Sequence, residues 1–159
     1  WFKVYHPLAF YAAYFSIRAK AFDLRIMTGD LKTQMTEFNR IKALDRGASP
    51  KDKDLMSALE VSMEMYQRGY RFVNVDIQHS EARRFSIKDG ALLPPFLAID
   101  SLGETVADAI VAEREERPFT SLKDLQRRCK VSNTIIDLMK ELKCCGELPE
   151  DEQMSLFGA

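Results

Sequence analysis

The last third of the chain is divided into short helical stretches by tight breaks, two of them alike in pattern, and this restricts it to packed helix pairs. From Phe96 onward apolar residues return at helical spacing over 104–116, 121–128 and 132–143. Two breaks hold an apolar residue at their centre: Leu102 in Ser101-Leu102-Gly103, and Val131 in Lys130-Val131-Ser132, 29 residues later. Helices this short are marginal alone and draw their stability from packing. Ser121 followed by Asp124 has capping-box spacing, with Asp in place of the usual Glu.

Upstream, helical signals dominate too. Pro7 suits a first helical turn, and Leu8, Tyr11, Ala12, Phe15 and Ala19 follow on one face. The stripe of Phe10, Tyr11, Tyr14 and Phe15 has the composition of a base-stacking surface, but at helical spacing it reads as core. A second helix is expected over 30–44, and a third over 50–68, capped by Ser49, opened by Pro50 and ended by Gly69. Asp52 and Asp54 resemble a metal-binding D-x-D, yet two acids in a capped first turn are explained by the helix dipole. A short strand is expected over 70–75. A small hairpin is expected over 84–87 and 91–93, joined through Lys88-Asp89-Gly90 and stopped by Pro94-Pro95. The expected class is mainly α, with one small β hairpin and a flexible, acidic C-terminal tail from Gly146.

The chain has 159 residues, with 23 Lys+Arg and 24 Asp+Glu, for a formal net charge of −1. That excludes a uniformly basic nucleic-acid coat and a polybasic membrane binder. The balance is uneven: residues 1–50 carry 8 basic and 4 acidic side chains, whereas residues 146–159 carry 4 acidic and no basic ones. Any DNA contact must come from placed groups and not from bulk charge. Cys129, Cys144 and Cys145 are too few for a disulfide framework and fit reduced thiols. Nothing near His6 or His79 has metal-ligand spacing, and no apolar run approaches a membrane span. The chain opens at Trp1 in an apolar stretch without an initiator Met or signal-peptide layout, and reads as a piece of something larger.

Residues Phe96 to Ile110 resemble a helix-hairpin-helix motif: a short helix, a tight turn of Gly-hydrophobic-Gly type, then a helix with a small residue four positions on. Here the turn is Ser101-Leu102-Gly103 and the small residue is Ala107. Gly103 is expected to take a backbone conformation costly for other residues, and Leu102 to anchor the turn. The N–H groups at the start of the second helix, around Gly103, Glu104 and Thr105, would then hold one DNA phosphate and read backbone, not sequence. Ser101 replaces the first glycine of the pattern. A plain helix–turn–helix core with a glycine at its bend is the alternative. Pro118 to Leu125 resembles the link between paired units, leading to a degenerate second hairpin at Lys130-Val131-Ser132. Lys130, Ser132, Asn133 and Thr134 either meet a phosphate there or belong to a purely structural partner.

At the tail, Gln153-Met154-Ser155-Leu156-Phe157 matches the bacterial sliding-clamp-binding pentapeptide Gln-Leu-(Ser/Asp)-Leu-Phe, with Met at the second position. Gln153 would bond at the pocket rim, Met154 would fill a small pocket, and Leu156 and Phe157 the main apolar one. With these features in order, the chain resembles over its full length the C-terminal end of replicative DNA polymerases of PolC type from Gram-positive bacteria. Trp1 to Ala19 resembles the segment that closes the fingers, and Met65 to Phe72 the start of the duplex-binding region.

The resemblance implies three parts: 1–48 as the end of the fingers; 49–146 as a duplex-binding region with the hairpin pair at about 96–145; and 147–159 as the acidic tail with its clamp peptide. It implies a DNA-directed DNA polymerase, a bacterial cytoplasmic and nucleoid-associated nucleotidyltransferase using Mg2+ held by palm carboxylates that this chain lacks. It gives primer–template duplex, a sliding clamp and the rest of the polymerase as partners, and no membrane. A stand-alone helix-hairpin-helix protein of DNA repair or uptake, and a protein-interaction domain with no DNA role, are the alternatives.

Overall fold

A computed structural model of the protein describes residues 1–151. The elements run α1 (Phe2–Tyr5), α2 (Pro7–Ala13) continuing as a π-helical turn (Tyr14–Arg18), α3 (Leu24–Met27), α4 (Leu31–Leu44) and α5 (Pro50–Gln67). Strands β1 (Ser86–Lys88) and β2 (Ala91–Leu93) follow, then α6 (Glu104–Glu116), α7 (Leu122–Cys129) and α8 (Asn133–Glu141). The class is mainly α with one small antiparallel hairpin, as the sequence leads one to expect.

Local chemistry accounts for most boundaries. The Asp30 carboxylate accepts from the Thr33 N–H at 2.7 Å and starts α4. Ser49 and Asp52 form a reciprocal capping box with Pro50 at the first helical position of α5, so Asp52 is occupied as a cap. Asp89 and Gly90 both take positive φ, 50° and 76°, a two-residue turn matching the twist of the strands it joins.

Three expectations need correction. The strand expected over 70–75 is an extended stretch with one isolated parallel bridge, Phe72 to Leu92, because the chain then turns away to bury Val75 and Ile77 elsewhere. The helix from Pro7 is not uniform; after Ala13 it widens, with the Ala19 N–H reaching back five residues to Tyr14 O at 3.0 Å. The tail does not come free at Gly146. The Leu122 and Lys123 N–H groups at the start of α7 donate to Pro149 O and Glu150 O at 2.8 and 3.2 Å, and Lys140–Glu150 and Lys123–Asp151 pair at 2.5 Å each. Unpaired N–H groups of a helix's first turn recruited this strap.

Two apolar cores lie along the chain. The first packs Tyr11 and Phe15 of the aromatic stripe with Met27, Ile41, Leu59 and Phe72, the rings of Phe15 and Phe72 meeting edge-on at 4.9 Å. Buried Gln34 spans it, donating to Met27 O at 3.1 Å and accepting from Ser62 Oγ at 2.6 Å. The second core holds Val75, Ile77 and the inner faces of α6, α7 and α8, and Phe22 packs against both cores. Residues 74–80 connect them: Ile77 N–H donates to Cys144 O at 3.1 Å, Asn74 Nδ2 to Leu142 O at 2.6 Å, and Arg114 Nη1 to Ile77 O and Ser80 O at 3.0 and 2.9 Å. The three cysteines are free and buried, and burial pushes the Cys144 thiol up to about 12. Trp1, Phe2, Val4, Tyr5 and Ile17 are exposed.

One buried ion cluster joins α6 to α7. The Arg128 side chain is 9% exposed and the Asp124 carboxylate 0%. Arg128 donates to Glu113 Oε2 at 3.0 Å, Asp124 Oδ2 at 3.3 Å, Arg117 O at 3.1 Å and also Glu113 O, while lying over the Phe119 ring at 4.8 Å. Ser121 Oγ caps the Asp124 N–H at 3.0 Å, but the Asp124 carboxylate takes the Thr120 N–H instead of closing the expected box. Burial pushes the Asp124 carboxyl up, while the bonds from Arg127, Thr120 and Arg128 outweigh it and hold it below the usual carboxylate value.

Asp124→Asn should therefore cost about 3 kcal/mol at neutral pH, measured by urea unfolding. The depressed carboxyl stabilises fully above the unfolded value of about 4 and is lost as pH falls through the folded one. The wild-type midpoint should drop on acidification more steeply than that of Asp124→Asn.

Candidate nucleic-acid interface

The two turns expected from the sequence have one backbone design. At the first, Ser101 takes φ 64°, Leu102 is buried at 5% exposure, and Gly103 is the extended N-cap of α6 with φ −77° and ψ 159°. At the second, Lys130 takes φ 54° and ψ 40°, Val131 is buried at 3%, and Ser132 is the extended N-cap of α8 with φ −70° and ψ 155°. The order of exposed, intermediate and buried positions is identical over 101–110 and 130–139. Ala107 and Ile136 thus occupy equivalent buried sites, as do Ile110 and Met139. The second hairpin is not degenerate in shape, only in glycine content.

This corrects the expectation about Gly103. Its φ is open to any L-residue, and a Cβ built there meets no atom within 4 Å. The left-handed conformation falls on Ser101, which the sequence pattern treats as the imperfect member. The fold therefore does not require glycine at 103; the missing side chain leaves open space in front of the helix start.

The two helix starts differ chemically. No side chain caps α6, and Gly103, Glu104 and Thr105 are exposed around its first turn. At α8, Ser132 Oγ accepts from the Ile135 N–H at 3.3 Å, and Asn133 Oδ1 accepts from Gln126 Nε2 at 2.5 Å. Ser132 and Asn133 are thus engaged within the protein, while Lys130 and Thr134 are exposed. The α6 start offers backbone N–H groups outward; the α8 start largely satisfies itself.

Arg83 is the neighbour that sequence reasoning missed. Its guanidinium meets Glu104 Oε2 at 2.7 Å and grips Asp108 through Nε at 3.1 Å and Nη2 at 2.5 Å. Arg83 lies in a loop far from both partners along the chain, so no local spacing marks it. Asp124 and Arg128 did carry a signal, opposite charges four apart on a helix. Of the basic residues at the front of the chain, Arg25 pairs with Glu141 at 2.8 Å. Arg25, Lys20 and Lys51 line a cleft of about 740 Å³ that reaches Ser101, but Asp23, Asp54 and Asp100 line it too, so its wall is electrically mixed. Among the described residues no group of three or more His, Cys, Asp or Glu side chains is placed to hold a metal ion, and no helix is long and apolar enough to cross a membrane. Gln153, Met154, Ser155, Leu156 and Phe157 lie outside the described residues.

Residues 69–153, just over half of the chain, match the family model described as "Helix-hairpin-helix motif". Across 99% of its length the chain is also similar to PolC-type DNA polymerase III proteins: 43% identical to that of Caldanaerobacter subterraneus subsp. tengcongensis, 46% to that of Streptococcus suis and 44% to that of Streptococcus pyogenes. It spans 11% of the length of each of these relatives.

The turn geometry makes a paired prediction. Ser101→Gly should raise unfolding stability by about 1 kcal/mol, since it relieves a left-handed residue. Gly103→Ala should lower it by no more than about 1 kcal/mol, the N-cap preference alone with nothing added for backbone strain. The reverse ranking in chemical denaturation would show that the strain had been placed on the wrong residue.

Proposed function

The chain belongs to the helix-hairpin-helix family, and we propose that it is the duplex-holding segment of a PolC-type replicative DNA polymerase, gripping primer–template backbone without regard to sequence. One observation carries this reading. The start of α6 has no side-chain cap, and Gly103 leaves open space in front of it although its backbone conformation is one that any residue can take. A ligand that approaches the backbone closely and accepts N–H bonds gives that glycine a purpose, and a DNA phosphate is such a ligand. Ser101, Leu102, Gly103, Glu104 and Thr105 make this contact through backbone and shape. At the self-capped second hairpin, Lys130 and Thr134 supply side chains, and Ser132 and Asn133 chiefly hold the turn.

Similarity across residues 1–68, outside the matched hairpin family, favours a polymerase segment over a stand-alone repair or uptake protein. On this reading 1–48 ends the fingers, 49–146 holds the duplex, and 147–159 ties the enzyme to a sliding clamp through Gln153, Met154, Ser155, Leu156 and Phe157. The exposed Trp1, Phe2, Val4, Tyr5 and Ile17 pack on the rest of the polymerase. Mg2+-dependent nucleotide addition belongs to that remainder, in the bacterial cytoplasm at the nucleoid.

Gly103→Val should weaken binding to duplexes of unrelated sequence by the same factor, about tenfold, with the helical circular dichroism unchanged. Equal affinity in a folded variant would remove the phosphate role. Leu156→Ala with Phe157→Ala should abolish binding to a purified sliding clamp and leave duplex affinity intact; retained clamp binding would sink the tether.

A further inference from the structure

The proposed phosphate site has an electrostatic problem. Glu104 is the first residue of α6 and Asp108 lies one turn on, so two half-exposed carboxylates stand on one face beside the N–H groups that would take the phosphate. Exposed like charges within about 8 Å of one another are only partly screened at physiological salt, and a phosphate bonded to the N–H groups of the turn that carries Glu104 would meet that repulsion. A first-turn carboxylate is also drawn to the helix's own N-terminus, where it competes for the same N–H groups.

Arg83 answers both difficulties. Its forked contact with Asp108 and its bond to Glu104 place one guanidinium across the pair and hold the Glu104 carboxylate to the side. Its position is set from two directions. Phe96 and Leu97 donate their N–H groups to Glu81 O and Ala82 O at 2.9 and 3.1 Å, fixing the loop to the segment that leads into the first hairpin. The Phe85 N–H donates to Ser16 Oγ at 2.9 Å, fixing its other end to the π-helical turn of the first core.

We propose that Arg83 is a positioning residue for DNA binding: it screens Glu104 and Asp108 so that the start of α6 accepts a phosphate. The proposal rests on the reading of that helix start as the phosphate site. It makes the first hairpin's affinity depend on a residue from the preceding loop, outside the hairpin.

The test compares wild type, Arg83→Gln, Arg83→Gln/Glu104→Gln/Asp108→Asn and Gly103→Val for affinity to a duplex of arbitrary sequence, by fluorescence anisotropy at one moderate salt concentration, with thermal unfolding alongside. Arg83→Gln should weaken binding about fivefold, and the triple variant should return to within about twofold of wild type. Unchanged affinity in Arg83→Gln overturns the proposal. So does a triple variant as weak as Arg83→Gln, since Arg83 would then touch the phosphate itself. If Arg83→Gln does not fold, Glu104→Gln/Asp108→Asn takes its place: binding at least as tight as wild type supports the screen, and weaker binding overturns it. A loss in Gly103→Val without one in Arg83→Gln removes this inference alone. No loss in Gly103→Val removes the phosphate site and the screen with it.

Discussion

A guanidinium and a carboxylate sealed between two helices set the geometry of the hairpin unit. Removing either Arg128 or Asp124 would leave the other charge buried with part of its bonding lost. Their further demands are met by Glu113 at the end of α6, the carbonyl of Arg117 and the N–H of Thr120. The path of the link between α6 and α7 is held by these bonds, and no buried side-chain polar atom lacks a partner among the described residues. That path sets how far apart, and in what relative orientation, the two turns at 101–103 and 130–132 stand.

The first half of the molecule buttresses this unit. Gln34, Ser62 and Tyr66 lock α4 and α5 against the end of α3, and Phe22 carries the packing across to the second core. Arg114 and Asn74 fasten the connector to α6 and to the end of α8. Charged side chains make further joints of this kind, Lys3 with Glu64 between the chain start and α5, and Arg25 with Glu141 between the two halves.

What could be read in advance was whatever is local. Ser49 and Ser121 cap the helices that follow them, Asp89-Gly90 turns the hairpin, and the 29-residue offset from Leu102 to Val131 reflects a repeat that extends through Ile110 and Met139. What escaped is decided by distant partners. The stretch over 70–75 has strand composition but only one residue that finds a bridge. Glycine permits the unusual backbone and so marks 103 for it in the sequence, whereas the chain puts the left-handed residue at Ser101 and keeps 103 ordinary. Arg83 meets carboxylates 21 and 25 residues away, a separation at which sequence carries no pairing signal.

The strap formed by Pro149, Glu150 and Asp151 has a mechanical consequence. It bonds to the start of α7, whose other end is the left-handed Lys130 of the second turn, and to Lys140 near the end of α8. A pull on the chain beyond Asp151 would load two backbone bonds and two ion pairs together. It would pass through α7 as through a strut before reaching the turn. The chain at 149–151 is thus held to the hairpin unit at the end of α7 remote from the second turn, so that a load carried there does not fall first on that turn.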